Sequence, residues 1–159
     1  MPKNIRFEIQ DLIEVLAQSS TPDGLRLRLS QEQWDTLASH LQPLTLGLGQ
    51  MLIKQGAKDR TLYFVESGSL SVHYQDDEKK IHLAVVGPGT AVGEGAFFTH
   101  RPRQASVQAG AACKVWALSP LRFQELSIRK PQIALEITMG LGALVSTRLA
   151  HQQHRISVT

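Results

Sequence analysis

The chain has 159 residues, 42% of them hydrophobic and 19% charged, with a formal net charge of +3. That length supports one domain with a real core, and the composition excludes a disordered chain. The positive excess sits in residues 120–159, where Arg122, Arg129, Lys130, Arg148 and Arg155 outnumber Glu125 and Glu136. An excess that small reads first as solvated surface and only weakly as a site for an acidic partner. Cys113 is the only cysteine, so no internal disulfide can form and a reducing compartment is compatible. Glu8, Asp11 and Glu14 interrupt the N-terminal apolar residues, against a secretory leader. No uninterrupted apolar run approaches the roughly 20 residues of a membrane helix. A cytoplasmic protein with no membrane partner is expected.

Helical spacing opens the chain: within residues 4–18, Ile5, Ile9, Leu12, Ile13 and Leu16 share one face. Pro22-Asp23-Gly24 reads as a turn. Ser30 with Gln33 three residues on forms a capping box, opening a helix with Trp34, Leu37 and Leu41 on one side and Pro43 beyond its end. From residue 44 to 118 the pattern changes to short runs of β-formers punctuated by glycine: Leu44–Leu46, Met51–Ile53, Leu62–Val65, Leu70–Tyr74, Ile81–Val86, Gln104–Gln108 and Lys114–Leu118. Leu70, Val72 and Tyr74 alternate with polar residues, so that strand should bury one face. Residues 75–80 form a charged hairpin tip. Many short strands at this spacing suggest a sandwich or jelly roll. After Ser119, an N-cap followed by Pro120, a short helix carries Phe123 and Leu126. Pro131 starts a last helix of about five turns, with Ile133, Ile137, Leu141, Leu144 and Arg148 at 3–4 spacing. Gly140, Gly142, Ala143 and Ser146 make part of its surface small, which suits a hinge, tight core packing or a close interface.

Between the strands lies the segment with a chemical signature. Gly93-Glu94-Gly95-Ala96-Phe97-Phe98 precedes a short helix-like run, and Pro102-Arg103-Gln104-Ala105-Ser106-Val107 follows, with Arg103 ten residues beyond Gly93. Helix-start amides and an arginine bind an anion, while a carboxylate accepts from hydroxyls. Together they can hold a phosphate next to a sugar.

The order of helix, seven or eight short strands, a short helix before the last pair of strands and two closing helices, joined to this motif, resembles the cyclic nucleotide-binding domain. That domain is the sensory module of the catabolite activator protein family, of protein kinase A regulatory subunits and of cyclic nucleotide-gated channels. The resemblance runs from about Leu41 to the C-terminus. It includes the run from Gly49 to Gly56 and the strand pair from Leu62 to Leu70. Its most specific part is the phosphate-binding cassette, in which Gly93, Glu94, Ala96, Arg103, Ala105, Ser106 and Val107 fall in place.

The resemblance implies a mainly β fold with flanking helices. The whole chain, 1–159, would be one domain: an N-terminal helical segment (1–42), an antiparallel jelly-roll barrel, or double-stranded β-helix (43–119), with its cassette at 93–107, and two C-terminal helices (120–159). It implies a non-enzymatic receptor for cAMP or cGMP, with no catalytic residue, cofactor or metal, which passes binding on through its last helix. The ligand site would comprise Gly93, Glu94, Gly95, Ala96, Arg103, Gln104, Ala105 and Arg148. Gly93 would let backbone approach the ligand. The Gly95 and Ala96 amides and the Arg103 guanidinium would bind the cyclic phosphate, and Glu94 would accept from the ribose 2′-hydroxyl. Arg148 would lie near the base, where a guanidinium can stack on a purine.

Two residues depart from the family pattern. Gly95 replaces a large apolar residue. Gln104 stands where cGMP-preferring members often have threonine, which tilts the expectation towards cAMP. A homodimer through the last helix is also implied, its Ile133–Leu144 stripe serving either that contact or packing on the domain itself. The bacterial activators carry a helix-turn-helix module after the long helix. Ending at Thr159, the chain is expected to stand alone and not to bind DNA directly, leaving a downstream protein as the partner. Alternatives are a ligand-free interaction module of the same fold and the sensor fragment of a transcription regulator. The His-x-His pair of metal-binding cupins is absent, although His73 and His82 fall on adjacent predicted strands.

Overall fold

The computed structural model describes residues 8–158, with side chains as far as residue 151. Its elements are α1 (Ile9–Gln18), α2 (Gln31–Ala38), β1 (Gln42–Leu46), β2 (Met51–Ile53), β3 (Leu62–Ser67), β4 (Leu70–Asp76), β5 (Lys79–Val86), β6 (Ala91–Val92), α3 (Glu94–Thr99), β7 (Ser106–Ala109), β8 (Cys113–Leu118), α4 (Pro120–Arg129) and α5 (Pro131–Val158). The predicted first helix is present from Ile9; its Ile5 turn lies outside the described residues. Pro43, expected as a helix stop, is inside β1, an edge strand where a missing N–H is tolerated.

Among the described residues, eight strands form two four-stranded antiparallel sheets in the orders β1-β8-β3-β6 and β2-β7-β4-β5. The jelly roll is therefore two sheets packed face to face. Leu46, Ile53, Tyr63, Val65, Leu70, Val107 and Val115 fill the space between them. The first sheet is buried on its other face as well: Leu62, Phe64, Trp116 and Leu118 meet a helical layer built from Leu12, Leu16, Leu37, Leu126, Ile137 and Leu141. Burial on both sides explains why β3 reads as an unbroken apolar run, whereas strands with one covered face alternate. A buried polar contact crosses that layer, where Trp116 Nε1 donates to Glu66 Oε1 at 3.0 Å.

The second sheet departs from simple alternation. Its register slips between Val72 and His73, because β5 carries an extra residue at Leu83. His73, expected on an open face, is buried in a cross-strand row with His82 and Ser106. Burial, helped by the charges of Lys80 and His82, pushes its pKa below the ordinary histidine value.

Both predicted caps are present. Ser30 accepts from the Gln33 amide while the Gln33 side chain accepts from the Ser30 amide. Ser119 Oγ accepts from the Arg122 amide, with Pro120 opening α4.

The last helix settles the question left open by its Ile133–Leu144 stripe. Ile133, Ile137, Leu141 and Leu144 are buried in the domain's own core. Leu135, Met139, Val145 and Leu149 lie on the opposite face and are exposed. From Pro131 to His151 this helix has the length and mean hydropathy, 1.4, of a membrane span, a property spread over both stripes.

Gly140 has a specific reason to be small. A Cβ there would lie 2.9 Å from the Arg26 carbonyl oxygen and 2.9 Å from Leu27 Cδ2, because the extended segment after α1 crosses α5 at that point. The carbonyl is backbone and cannot yield easily. Gly142, two residues on, faces open space. Gly140→Ala is therefore expected to destabilise the fold by about 1–3 kcal/mol despite better helix propensity. Gly142→Ala should stabilise it by up to about 1 kcal/mol. Urea unfolding midpoints of the two variants should move in opposite directions.

Candidate functional site

A left-handed turn starts the site. Gly93 has φ of 88°, a conformation that glycine adopts without steric cost. It is also packed too closely for any side chain: a Cβ would meet Arg103 Nη1 and the Thr61 carbonyl oxygen, each at 2.7 Å. Its small size thus admits the arginine, a packing role that the sequence did not suggest. The cassette helix α3 begins immediately after. It has no side-chain cap, and the first helix-type bond runs from the Phe97 amide to the Gly93 carbonyl, so the preceding amides of Glu94, Gly95 and Ala96 are free of that ladder. Phe97 packs edge-on against Phe123 of α4, with ring centroids 5.0 Å apart, tying the cassette to the C-terminal helices.

Arg103 lies just before β7 and is only 5% exposed. Its backbone is pinned to the loop after β2 by bonds from the Arg103 amide to Ala57 O (2.8 Å) and from the Gly56 amide to Arg103 O (2.7 Å). The guanidinium then reaches three acceptors. Nη1 donates to the Gly93 carbonyl at 2.9 Å, and Nη2 donates to the Thr61 carbonyl at 2.6 Å and to Asp59 Oδ2 at 3.1 Å. Nε is buried without a partner. Asp59 is oriented in turn by Thr61, whose Oγ1 donates to Asp59 Oδ1 at 2.8 Å. Nothing in the sequence marks Asp59 or Thr61, which lie more than 40 residues from Arg103 and come from a loop with no motif of its own.

Gly93 and Arg103 border a cavity of about 650 Å³. All eight residues expected from the sequence line it: Gly93, Glu94, Gly95, Ala96, Arg103, Gln104, Ala105 and Arg148. Ile53, Val72, Leu83 and Val107 supply an apolar wall on the side of the second sheet. At Gly95 a side chain would meet nothing within 4 Å, so the departure from a large apolar residue leaves the rim open. Arg148 reaches in from α5. Its Nη1 donates to Glu94 Oε1 at 2.9 Å, Nε to Asp23 Oδ2 at 3.0 Å, and Nη2 to Thr90 Oγ1 at 3.0 Å and Ala91 O at 2.8 Å. These in-plane bonds hold the guanidinium against the cassette. Asp23 and Thr90 went unmarked in the sequence, where Pro22-Asp23-Gly24 signals only a turn.

The Asp59 environment has a pH consequence. Partial burial raises its pKa, but hydrogen bonds from Thr61 and Arg103 and the charge of Arg103 outweigh that, leaving the carboxyl below its ordinary value of 3.8. A depressed folded-state pKa contributes stability that is present above 3.8 and is lost as pH falls through the lower folded value. Asp59→Asn should therefore reduce the urea midpoint at neutral pH, and the gap from the unsubstituted chain should close as pH drops below 3.8. A gap independent of pH would contradict the pairing.

Comparison with known proteins agrees with this geometry. Residues 43–130 match the family model of the cyclic nucleotide-binding domain. The chain is 37% identical over 91 residues to the cAMP-dependent protein kinase type II regulatory subunit of Drosophila melanogaster, covering 57% of this chain and 24% of that protein. It is 37% identical over 100 residues to the cAMP-activated global transcriptional regulator CRP of Escherichia coli, covering 62% of this chain and 46% of that protein. The chain thus spans less than half the length of these relatives. In fold it is similar to a cyclic nucleotide-binding domain from Methylobacillus flagellatus, with a TM-score of 0.81, 22% identity and coverage of 93% of this chain and 83% of the other. With the cassette, the two-sheet jelly roll and a family match over more than half its length, the chain belongs to the cyclic nucleotide-binding domain family.

Proposed function

We propose that the chain is a non-enzymatic cyclic nucleotide receptor that prefers cAMP and relays binding through α5. The observation that carries this reading is the convergence of Arg103, Glu94, the start of α3 and Arg148 on one cavity; Arg103 also keeps a buried, unpartnered Nε. A buried donor without an acceptor costs about 1–3 kcal/mol, and Arg103 lines the same cavity as Gly95 and Ala96, whose amides open α3. A singly charged cyclic phosphate in that cavity would accept charge-assisted bonds from the α3 amides and from Arg103. Glu94 has no role toward an anion, but its carboxylate accepts from a ribose 2′-hydroxyl. The apolar wall on the second sheet suits a purine. The faces of the Arg148 guanidinium remain available for stacking, because its hydrogen bonds lie in the plane.

The preference for cAMP rests on Gln104, which borders the cavity in place of the threonine associated with cGMP preference. It is also in keeping with the relatives, whose names describe them as cAMP-dependent and cAMP-activated. The relay rests on Arg148, which connects α5 directly to the cassette carboxylate. A ligand moves that helix only by the difference in its affinity for the two helix positions.

A homodimer through α5 would use the outward stripe of Leu135, Met139 and Leu149, with Gly142 allowing close approach, since the Ile133–Leu144 stripe is occupied by the core. Signalling to a downstream protein, without direct DNA contact by this chain, completes the reading.

Calorimetry should show cAMP binding that Arg103→Ala abolishes. Arg103→Lys, which keeps the charge and lacks the planar fork, should weaken it by about 10- to 100-fold. Unchanged affinity in both variants would remove the cassette assignment. An absence of heat with cAMP and cGMP at millimolar ligand would favour the interaction module. In light scattering, Met139→Asp is expected to yield monomers, and an unaltered dimer mass would refute the outward stripe. Leu144→Asp should instead unfold the chain, since Leu144 is only 1% exposed.

A further inference from the structure

Residues 19–30 lie outside the part of the chain that matches the family model, 43–130, yet they form part of the cavity wall through Pro22 and Asp23. The segment is fastened on both sides. The Leu25 amide donates to Gly89 O at 2.8 Å, and Thr90 Oγ1 donates to Asp23 O at 2.9 Å. On the other side, the Arg28 amide donates to Glu136 Oε1 of α5 at 2.8 Å, and Gly140 admits the Arg26 carbonyl. Asp23 is thus delivered to a fixed place, where its carboxylate meets Arg148.

Glu94 depends on that meeting. It stands between two glycines, Gly93 and Gly95, and a side chain at Gly95 would find nothing within 4 Å, so neither neighbour holds it. Its one side-chain hydrogen bond among the described residues comes from Arg148, to Oε1, which leaves Oε2 as an open acceptor. Arg148 itself is long and has about 2 kcal/mol of rotamer entropy to lose. Only the bond from its Nε to Asp23 brings a second full charge to it. The order of dependence is therefore Asp23, then Arg148, then Glu94.

We propose that Asp23 is a positioning residue of the nucleotide site: by holding Arg148 it sets the direction of Glu94, and so governs discrimination between ribose and 2′-deoxyribose ligands. This rests on the receptor reading above. Asp23 does not touch the phosphate subsite, so its effect is confined to the ligand that carries a 2′-hydroxyl. The orientation of one acceptor is at stake, which corresponds to about a fivefold change in affinity.

The test is calorimetric titration of cAMP and 2′-deoxy-cAMP into the unsubstituted chain, Asp23→Asn, Glu94→Gln and the double variant. The unsubstituted chain should prefer cAMP. Asp23→Asn, which retains the backbone carbonyl accepting from Thr90, should reduce that preference by about fivefold through weaker cAMP binding, leaving 2′-deoxy-cAMP nearly unchanged. In the Glu94→Gln background the same substitution should add nothing. Arg148→Lys, which keeps the charge but not the fork, should shift the preference in the same direction. If Asp23→Asn weakens both ligands equally, or acts equally with Glu94 replaced, Asp23 is only a wall and the inference is overturned while the receptor stands. If the unsubstituted chain binds neither ligand, the receptor reading and this inference fall together.

Discussion

The guanidinium of Arg103 is the constraint around which the site is built. A permanently charged group held at 5% exposure needs acceptors in fixed places, and two separate parts of the chain, the cassette turn and the loop before β3, provide three of them. The Gly93 carbonyl comes from the turn, and the Thr61 carbonyl and the Asp59 carboxylate from the loop. Each acceptor restricts something else. Gly93 must be left-handed and without a side chain, and Thr61 must hold Asp59. The loop after β2 must anchor the arginine backbone at both its amide and its carbonyl. Once these conditions are met, two of the five guanidinium N–H groups have no protein acceptor, on Nε and on Nη1, in a residue that lines the cavity.

A second arginine connects this site to the helical layer. Arg148 extends from a helix whose inner stripe is part of the core, so the helix cannot shift without disturbing Ile137, Leu141 and Leu144. Its bonds to Glu94, Asp23, Thr90 and Ala91 bring the cassette, the N-terminal segment and β6 to one point. Phe97 against Phe123 provides a second, apolar route between the cassette and the C-terminal helices. Two contacts of different chemistry thus join the candidate ligand cavity to α4 and α5.

The elements were legible where local chemistry decides them. Ser30 and Ser119 cap helices as their spacing implies, and the glycine-punctuated runs are strands. The two residues of β6, Ala91–Val92, were not marked, because so short a segment carries no periodicity and is a strand only through its partner β3. His73 was misplaced, being buried within the cross-strand row of a sheet whose register slips at the extra residue in β5, a feature of pairing that one strand's alternation cannot disclose. Within the site, the cassette residues were readable since they are close in sequence and each type has one suitable chemistry. Asp59, Thr61, Thr90 and Asp23 were not, as ordinary polar loop residues that acquire meaning only by where the fold delivers them.

By itself the sequence determined the helix–strand order, the cassette with its glycine, carboxylate and arginine, and the apolar Ile133–Leu144 stripe of the last helix. These are consequences of spacing, and spacing is written in the chain. Tertiary structure alone decided that this stripe is core, why Gly140 is small, and what each arginine holds. Such outcomes depend on segments far apart in sequence arriving within about 3 Å of one another, the distance at which a hydrogen bond forms and a side chain no longer fits.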